Sequence, residues 1–552
     1  MTARVARLVP ALCLVVATAC SDHAPTSTTP QQCSAAIATT LNLAVGQHSA
    51  LDPASDSGCV AFPANASATD SAEYLVIAQS AGGAPGDSAA FRLRTATLSS
   101  GVTPAPPAAG LAQRRRASLP LAFSRFLREV ARSHGAGLRA PLVPGRAPGR
   151  RAPAVLTPPA VGSLRTFKVC AARDCGTFQQ VTGRVRVSGA HVAVYIDTLA
   201  PAGGLDSAAI ATLAQTFDTH GYDVETGAFG GVSDVDSNGV VITLMTPVVN
   251  SLVTAAQCNA GGYIAGFFFP PDLDPQAAGL YNDGEIFYTI VADPNGTLSC
   301  PHSVADVEST LPTTFVHELE HVISFNEHVL VRGGIIEELW LDEALASFAE
   351  ELAGRSYLPD VTTYSQYVVP NLFNASEYLI SPEDYFLQQT GDTVLAEFGA
   401  GWLYVRYLVD QYGSAITGKL TQTALTGTAN VAAQTGVPFA TSVTRWALAN
   451  WVSDLPGFTP APELTYSSWS FRQTYASLHA QDPADFPLVF PLVPLAGPGT
   501  QVDLSGYLRA GSGAYVRALQ GPGDAGFTLL LSGNSGLPAS LVVPRFVVIR
   551  IR

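Results

Sequence analysis

The sequence predicts an α+β body flanked at its two ends by short β-rich segments. Three observations carry that expectation. Four strand-like apolar runs fall between residues 191 and 293, helical patterns follow from about 314 to 452, and short apolar runs separated by Gly-rich turns recur near both termini. At 552 residues the chain is too long for one core. A composition of 47% hydrophobic and 13% charged residues is that of a globular, exported protein rather than a disordered one. The expected divisions are 1–20, 21–100, 101–162, 163–460 and 461–552.

Residues 1–20, MTARVARLVPALCLVVATAC, carry Arg4 and Arg7, an apolar run from Leu8 to Val16 and small residues up to Cys20, the layout of a secretory signal. The run is short for a bilayer span. Ala17-Thr18-Ala19-Cys20 resembles a bacterial lipobox, which implies a lipid on Cys20, membrane attachment through it and, with Ser21 next, sorting to the outer membrane; simple cleavage after Ala19 is the other reading. Of eight cysteines, Cys13 leaves with the signal and Cys20 takes the lipid. The remaining six suit an oxidising compartment, and sequence order suggests Cys33 with Cys59, Cys170 with Cys175 and Cys258 with Cys300.

Residues 21–32 are a polar tether, and 33–100 read as a small all-β segment without recognisable chemistry. From Ala112 to Ala152 ten arginines face a single acid, Glu129. The surrounding Pro/Ala/Arg-rich stretch, 101–162, reads as a linker with one basic helix around Phe123, Phe126, Leu127 and Val130, or as the docking helix of a removable pro-segment with Arg114-Arg115-Arg116 as processing site. Because the whole chain carries −14, the rest is strongly acidic, which argues against nucleic acid as a partner. The runs HVAVYIDTL, VVITLMT, YIAGFFF and EIFYTIVAD read as strands, with a helix from about Asp206 to His220 between the first two. Helices are expected around 314–327, 336–352, 398–412 and 442–452, and from about Tyr466 the pattern returns to β.

Within the first of these helices, TTFVHELEHVISF places two histidines four apart. Pro312 fits a first helical turn. At 100° per residue Phe315, Val316, Leu319, Val322 and Ile323 form one apolar face, while His317 and His321 point to the other side, about 6 Å apart along the axis. Two imidazoles so placed can share one Zn²⁺, with Glu318 on the flank within reach of a water. A third ligand is needed. Glu327 and His328 stand about 15 Å or more from His317 along a continuing helix and read as surface residues. Glu343, 22 residues after His321 in ELWLDEALASFAEELAG, is the better candidate; on its helix Ser347 or Glu350 shares its face and could support a histidine. Glu337 and Glu338 are rivals near the helix start, where acids favour the dipole.

HELEH followed by WLDEALASFAEEL resembles the gluzincin metallopeptidases, and the longer gap between second histidine and glutamate is similar to that of hyicolysin-type bacterial peptidases. The resemblance covers residues 313–354 and, more loosely, about 165–455. It implies a zincin-like catalytic domain of mixed sheet, active-site helix and helical lower half. It also implies His317, His321 and Glu343 as zinc ligands, Glu318 as general base, and protein or peptide substrates. No GxMEN-like segment is present, so the resemblance points to an endopeptidase ahead of an aminopeptidase; a surface binding lipoprotein with an inactive zincin domain is the alternative of another class. Tyr404 falls where relatives place a tyrosine donor, but its surroundings, GAGWLYVRYL, match poorly and read first as packed core. GEIFYTIVAD stands where zincins place an edge strand and reads alternatively as purely structural.

DVDSNG, Asp234 to Gly239, resembles the start of a calcium loop, but the twelfth position is Met245. A looser Ca²⁺ site and an Asx-rich turn are the two readings.

Overall fold

A computed structural model describes residues 33, 37–55, 57–96, 127, 130, 157–390, 394–534 and 536–552. The signal segment, the lipid anchor expected at Cys20, the tether, the Arg114-Arg115-Arg116 site and most of the linker lie outside these residues. Of the linker helix, Leu127 and Val130 are described; both are helical and Leu127 is buried in the core of the main body.

The amino-terminal strands are β1 (Thr39–Thr40), β2 (His48–Leu51), β3 (Cys59–Phe62), β4 (Ala72–Ser80) and β5 (Ser88–Thr95). The middle of the chain gives β6 (Leu164–Cys170), β7 (Phe178–Ser188), β8 (Val192–Asp197), β9 (Val241–Met245), β10 (Gly266–Phe268) and β11 (Ile286–Thr289). The carboxy-terminal strands are β12 (Leu495–Pro498), β13 (Asp503–Arg509), β14 (Gly513–Gln520), β15 (Phe527–Ser532) and β16 (Pro544–Arg550). The first and last groups, read from sequence as two small β domains, are hydrogen-bonded into the same two sheets, ordered β1-β3-β15-β5-β13 and β12-β14-β4-β16-β2. A local pattern of short strands cannot reveal that its partners lie some 400 residues away, as Arg94 opposite Asp503 does.

Strand β4 shows how this sandwich meets the rest. All nine of its residues are buried. Tyr74, Val76 and Ala78 face the sandwich interior, while Leu75 and Ile77 belong to the core of the main body. Its neighbour β16 divides in the same way, Phe546 and Val548 inward and Val547 and Ile549 toward the body. This sheet is therefore a middle layer, and its continuous apolar runs follow from burial on both faces.

The six-stranded sheet of the main body has the order β10-β11-β9-β8-β7-β6. Strands β8, β9 and β11 are parallel to one another, and β10 runs antiparallel along β11. The parallel step from β8 to β9 needs a crossover. It is supplied by α1 (Ser207–Thr216), a π-helical turn at Phe217–Tyr222 and α2 (Asp223–Ala228), with Asp206 capping the start by accepting from the amides of Ala208 and Ala209. Two short helices, α3 (Pro247–Asn250) and α4 (Ala255–Gly261), lead to β10. Strands β10 and β6 are the sheet's two edges, and the segment read as an edge from sequence, GEIFYTIVAD, forms the second strand in beside β10.

A helical half follows: α5 (Val304–Phe325), α6 (Leu339–Arg355), α7 (Val361–Ile380), α8 (Leu395–Tyr412), α9 (Ala415–Thr421), α10 (Gly427–Thr435), α11 (Phe439–Val452) and α12 (Phe471–Gln481). Helix α5 starts well before Pro312, which lies in its interior. The start is set by a capping box, in which Ser303 accepts from the Asp306 amide and Asp306 accepts from that of Ser303. The apolar face foreseen for this helix is real, since Phe315, Val316, Leu319, Val322 and Ile323 are all buried. Cys33 pairs with Cys59, Cys170 with Cys175 and Cys258 with Cys300. Among the described residues no helix is long and apolar enough to cross a membrane.

Because β4 and β5 take partners from the carboxy-terminal strands, a chain ending before Leu495 should not yield a folded, merely shortened protein. The expected outcome is insoluble or unfolded material by soluble yield and far-ultraviolet circular dichroism. A truncated product with native-like spectra would show that the amino-terminal strands do not depend on β13 to β16.

Candidate metal centre

Helices α5 and α6 pack against each other, and their contact brings the histidines to the glutamate. His317 Nε2 lies 3.3 Å from Glu343 Oε2, and His321 Nε2 lies 4.0 Å from the same oxygen. All three ligand atoms lie within 4.8 Å of one another, so the group could hold a metal ion. The side chains of His321 and Glu343 are sealed, whereas that of His317 keeps 18% of its surface open. The centre is therefore reached from the His317 side.

Each imidazole is held from behind by a carboxylate. His317 Nδ1 is 2.8 Å from Glu350 Oε1, one of the two supports anticipated from sequence. Glu350 is itself fixed by Asn371, whose amide donates to its other oxygen at 2.8 Å. The other anticipated support, Ser347, serves through its backbone carbonyl, which accepts from Asn371. His321 Nδ1 lies 3.2 Å from Asp342 Oδ2, and Ser324 donates to Asp342 Oδ1 at 3.0 Å. Sequence reasoning missed Asp342; the signal was its place directly before Glu343, so that one helical turn serves the metal position and its support. The Glu350 hydrogen bond sets the ring direction of His317, and Asp342 lies close enough to His321 Nδ1 to do the same for the second ring, which would leave Nε2 of each for a metal.

Charge around the centre is strongly negative. Burial pulls the pKa of His317 down, but hydrogen bonds to Glu343 and Glu350 outweigh it and raise the imidazole well above its ordinary value. Glu225 of α2 is fully buried nearby, and burial, followed by the Glu320 carboxylate, pushes its carboxyl well up. Sequence reasoning did not single out either residue. Glu318, mostly buried, accepts a hydrogen bond from the Phe268 amide of edge strand β10 at 3.1 Å. Two imidazoles amid so many carboxylates form a donor set suited to a divalent cation.

Other sequence candidates have different places. Tyr404 is completely buried; its hydroxyl donates to Ser442 and its ring packs among Trp340, Phe439 and Trp446, so it is a core residue. Glu327 and His328 are not surface residues. Helix α5 passes into a π-helical turn at Asn326–Val331 that is covered by neighbouring segments, where Glu327 accepts from the Gly231 amide and pairs with Arg332, and His328 is fully buried. Glu338 stands at the N-cap position of α6 and accepts from the Trp340 indole. Glu337 accepts from the amides of Glu338 and Gly427 and from the Asn430 side chain, tying the start of α6 to α10. Cys258, Cys300 and His302 lie together, but both sulfurs are committed to a disulfide. No protein-family model matches the chain, and no curated protein matches it either.

Burial raises the Glu337 carboxyl from 4.5 to about 8. Between those values the folded chain holds a proton that the unfolded chain has released, so this group's stability contribution is complete below about pH 4.5 and is lost as pH rises through about 8. Glu337→Gln cannot titrate. Urea unfolding at several pH values should show the stability difference shifting toward the variant by about 1.4 kcal/mol per pH unit across that window. A pH-independent difference would mean that Glu337 is ionised in the fold.

Proposed function

We propose that this protein is a zinc-dependent peptidase of the gluzincin type with a zincin-like catalytic domain, cutting within protein or peptide chains, exported and held at the outer membrane by a lipid on Cys20. The observation that carries the reading is the convergence of His317 Nε2, His321 Nε2 and Glu343 Oε2, with a carboxylate behind each imidazole. Three cystines support residence in an oxidising compartment.

His317, His321 and Glu343 would hold the zinc ion, which supplies a Lewis acid that polarises a carbonyl and acidifies water. The protein's own groups do the rest. Glu318, with Oε2 anchored on the Phe268 amide, takes the proton of the attacking water and passes it to the leaving amine. Glu350, hydrogen-bonded to Nδ1 of His317, and Asp342, 3.2 Å from Nδ1 of His321, would turn Nε2 of both rings inward. Strand β10 ends the sheet directly against α5, and an extended peptide joining that edge by main-chain hydrogen bonds would present an internal bond rather than a terminus to Glu318.

Purified protein should contain one equivalent of zinc and cleave a mixed peptide library at internal positions. Glu318→Ala should keep the zinc and lose about 100-fold or more in rate. Equal cleavage by both proteins would remove Glu318 from the chemistry, and cuts confined to the amino terminus of peptides would replace the endopeptidase by an aminopeptidase. Glu350→Ala should weaken zinc binding by about 10- to 100-fold, measured by competition with a chromophoric chelator, because His317 loses its support. Ser347→Ala, whose side chain plays no part, should bind zinc as the parent does; matching losses in both variants would point to general damage to α6.

A further inference from the structure

A second group of oxygen ligands lies on the sheet, away from the histidine pair. Asp234, Asp236 and Glu285 each place one carboxylate oxygen within 4.8 Å of the other two. Asp234 and Asp236 belong to the loop that leads into β9, and Glu285 immediately precedes β11. The strands are adjacent and parallel, with Ile242 opposite Ile286, and the Ile242 amide donates to the Glu285 carbonyl at 2.7 Å. Residues far apart in sequence are thus joined by strand register.

Glu285 supplies the independent observation. Its side chain is 1% exposed, and Oε1 accepts from the Ser233 hydroxyl at 2.5 Å and the Val235 amide at 3.1 Å. The other oxygen, Oε2, is sealed from solvent without a hydrogen-bond partner. A buried carboxylate oxygen left in that condition destabilises the fold. Arg165 is the cation paired here, its guanidinium 2.9 Å from Asp236 Oδ2. One guanidinium faces three carboxyl groups, and a divalent cation would supply the partner that Glu285 Oε2 lacks.

We propose that Asp234, Asp236 and Glu285 form a calcium site that clamps the starts of β9 and β11. The donors are all oxygen, as a hard cation prefers, and the irregular loop suits the flexible coordination of Ca²⁺ better than the strict octahedron of Mg²⁺. In a continuous calcium loop the last carboxylate comes from the twelfth position; here that position is Met245, buried inside β9. Glu285 takes the part of that carboxylate from the neighbouring strand. The clamp also bears on the histidine centre. Strand β11 pairs with β10, whose Phe268 amide holds Glu318, and the stretch just before the loop is tied to the end of α5 through Gly231, which donates to Glu327 and accepts from Asn326. The site stands on its own residues and does not depend on the zinc reading.

The test is calorimetric titration of CaCl₂ into the full chain, purified with its zinc and washed free of calcium. One site is expected, with a rise in the midpoint of thermal unfolding on saturation. Asp234→Asn, a change at an exposed position, and Glu285→Gln should each weaken binding by about tenfold or more. His321→Ala should bind calcium as the parent does. No binding up to about 10 mM, roughly ten times the weakest dissociation constant of extracellular calcium modules, would overturn the proposal. So would binding that Asp234→Asn leaves intact, or binding abolished by His321→Ala, which would place the ion at the histidine centre.

Discussion

The rest of the candidate centre depends on the contacts that turn two imidazole rings. A histidine four residues from another on a helix has no intrinsic reason to present Nε2 rather than Nδ1 to a common point. Here Glu350 and Asp342 occupy the Nδ1 sides, and both come from the helix that also delivers Glu343. Orientation and third ligand are therefore one structural event, the docking of α6 onto α5. Its register is kept by groups that never approach the metal position: Asn371 on α7 holds Glu350, and Glu337 ties the entry of α6 to Gly427 and Asn430. A slip of one residue would turn the α6 side chains by about 100° and separate all three carboxylates from the rings.

The sandwich gives that helical half a rigid floor. Its inner sheet buries Leu75, Ile77, Val547 and Ile549 against the main body, and polar contacts seal the same boundary, with Tyr515 donating to the Ala447 carbonyl and Gln79 to that of Val443. Both acceptors lie on α11, which also supplies Ser442 to Tyr404. The two ends of the chain thus meet in one sandwich that supports the helices from outside.

What the sequence revealed follows the range of the interactions involved. His317, Glu318 and His321 are legible because helical spacing alone puts them together, and the apolar face of α5 is legible for the same reason. Glu343 is legible from its place on a return helix 22 residues after His321, a choice the resemblance of its segment also implies, with Glu350 on the same face. Some misreadings came where a partner was distant, others where one local rule overrode another. Glu327 and His328 were given to solvent because nothing local announces the loop at Gly231 that covers them. The start of α5 was placed at Pro312 because proline's preference for a first turn is a strong local rule, and the capping box at Ser303 overrides it. Helix α7 was not foreseen at all: TTYSQYVVPNLFNASEYL mixes β-branched and polar residues around Pro370, which lies inside the helix. Tyr404 was correctly suspected of being core, and the strands of the two ends were found without their pairing.

The two acidic centres obey the same rule. In each, a short local motif sets most of the ligands and a carboxylate from a separate element closes the set: Glu343 from α6 for HELEH, and Glu285 from the start of β11 for DVDSNG. A closing ligand from another element makes metal affinity conditional on tertiary structure, since the unfolded chain keeps the motif but loses the convergence. Cation binding then stabilises only the folded state, by an amount that grows with the logarithm of cation concentration over Kd. The buried carboxylates are costly by themselves, as the raised carboxyls of Glu225 and Glu285 show, both driven first by burial. A chain that accepts this cost at two places, each with its ligand atoms within 4.8 Å of one another, has groups that could hold divalent cations. Were such ions bound, what weakens the bare fold would become a source of its stability.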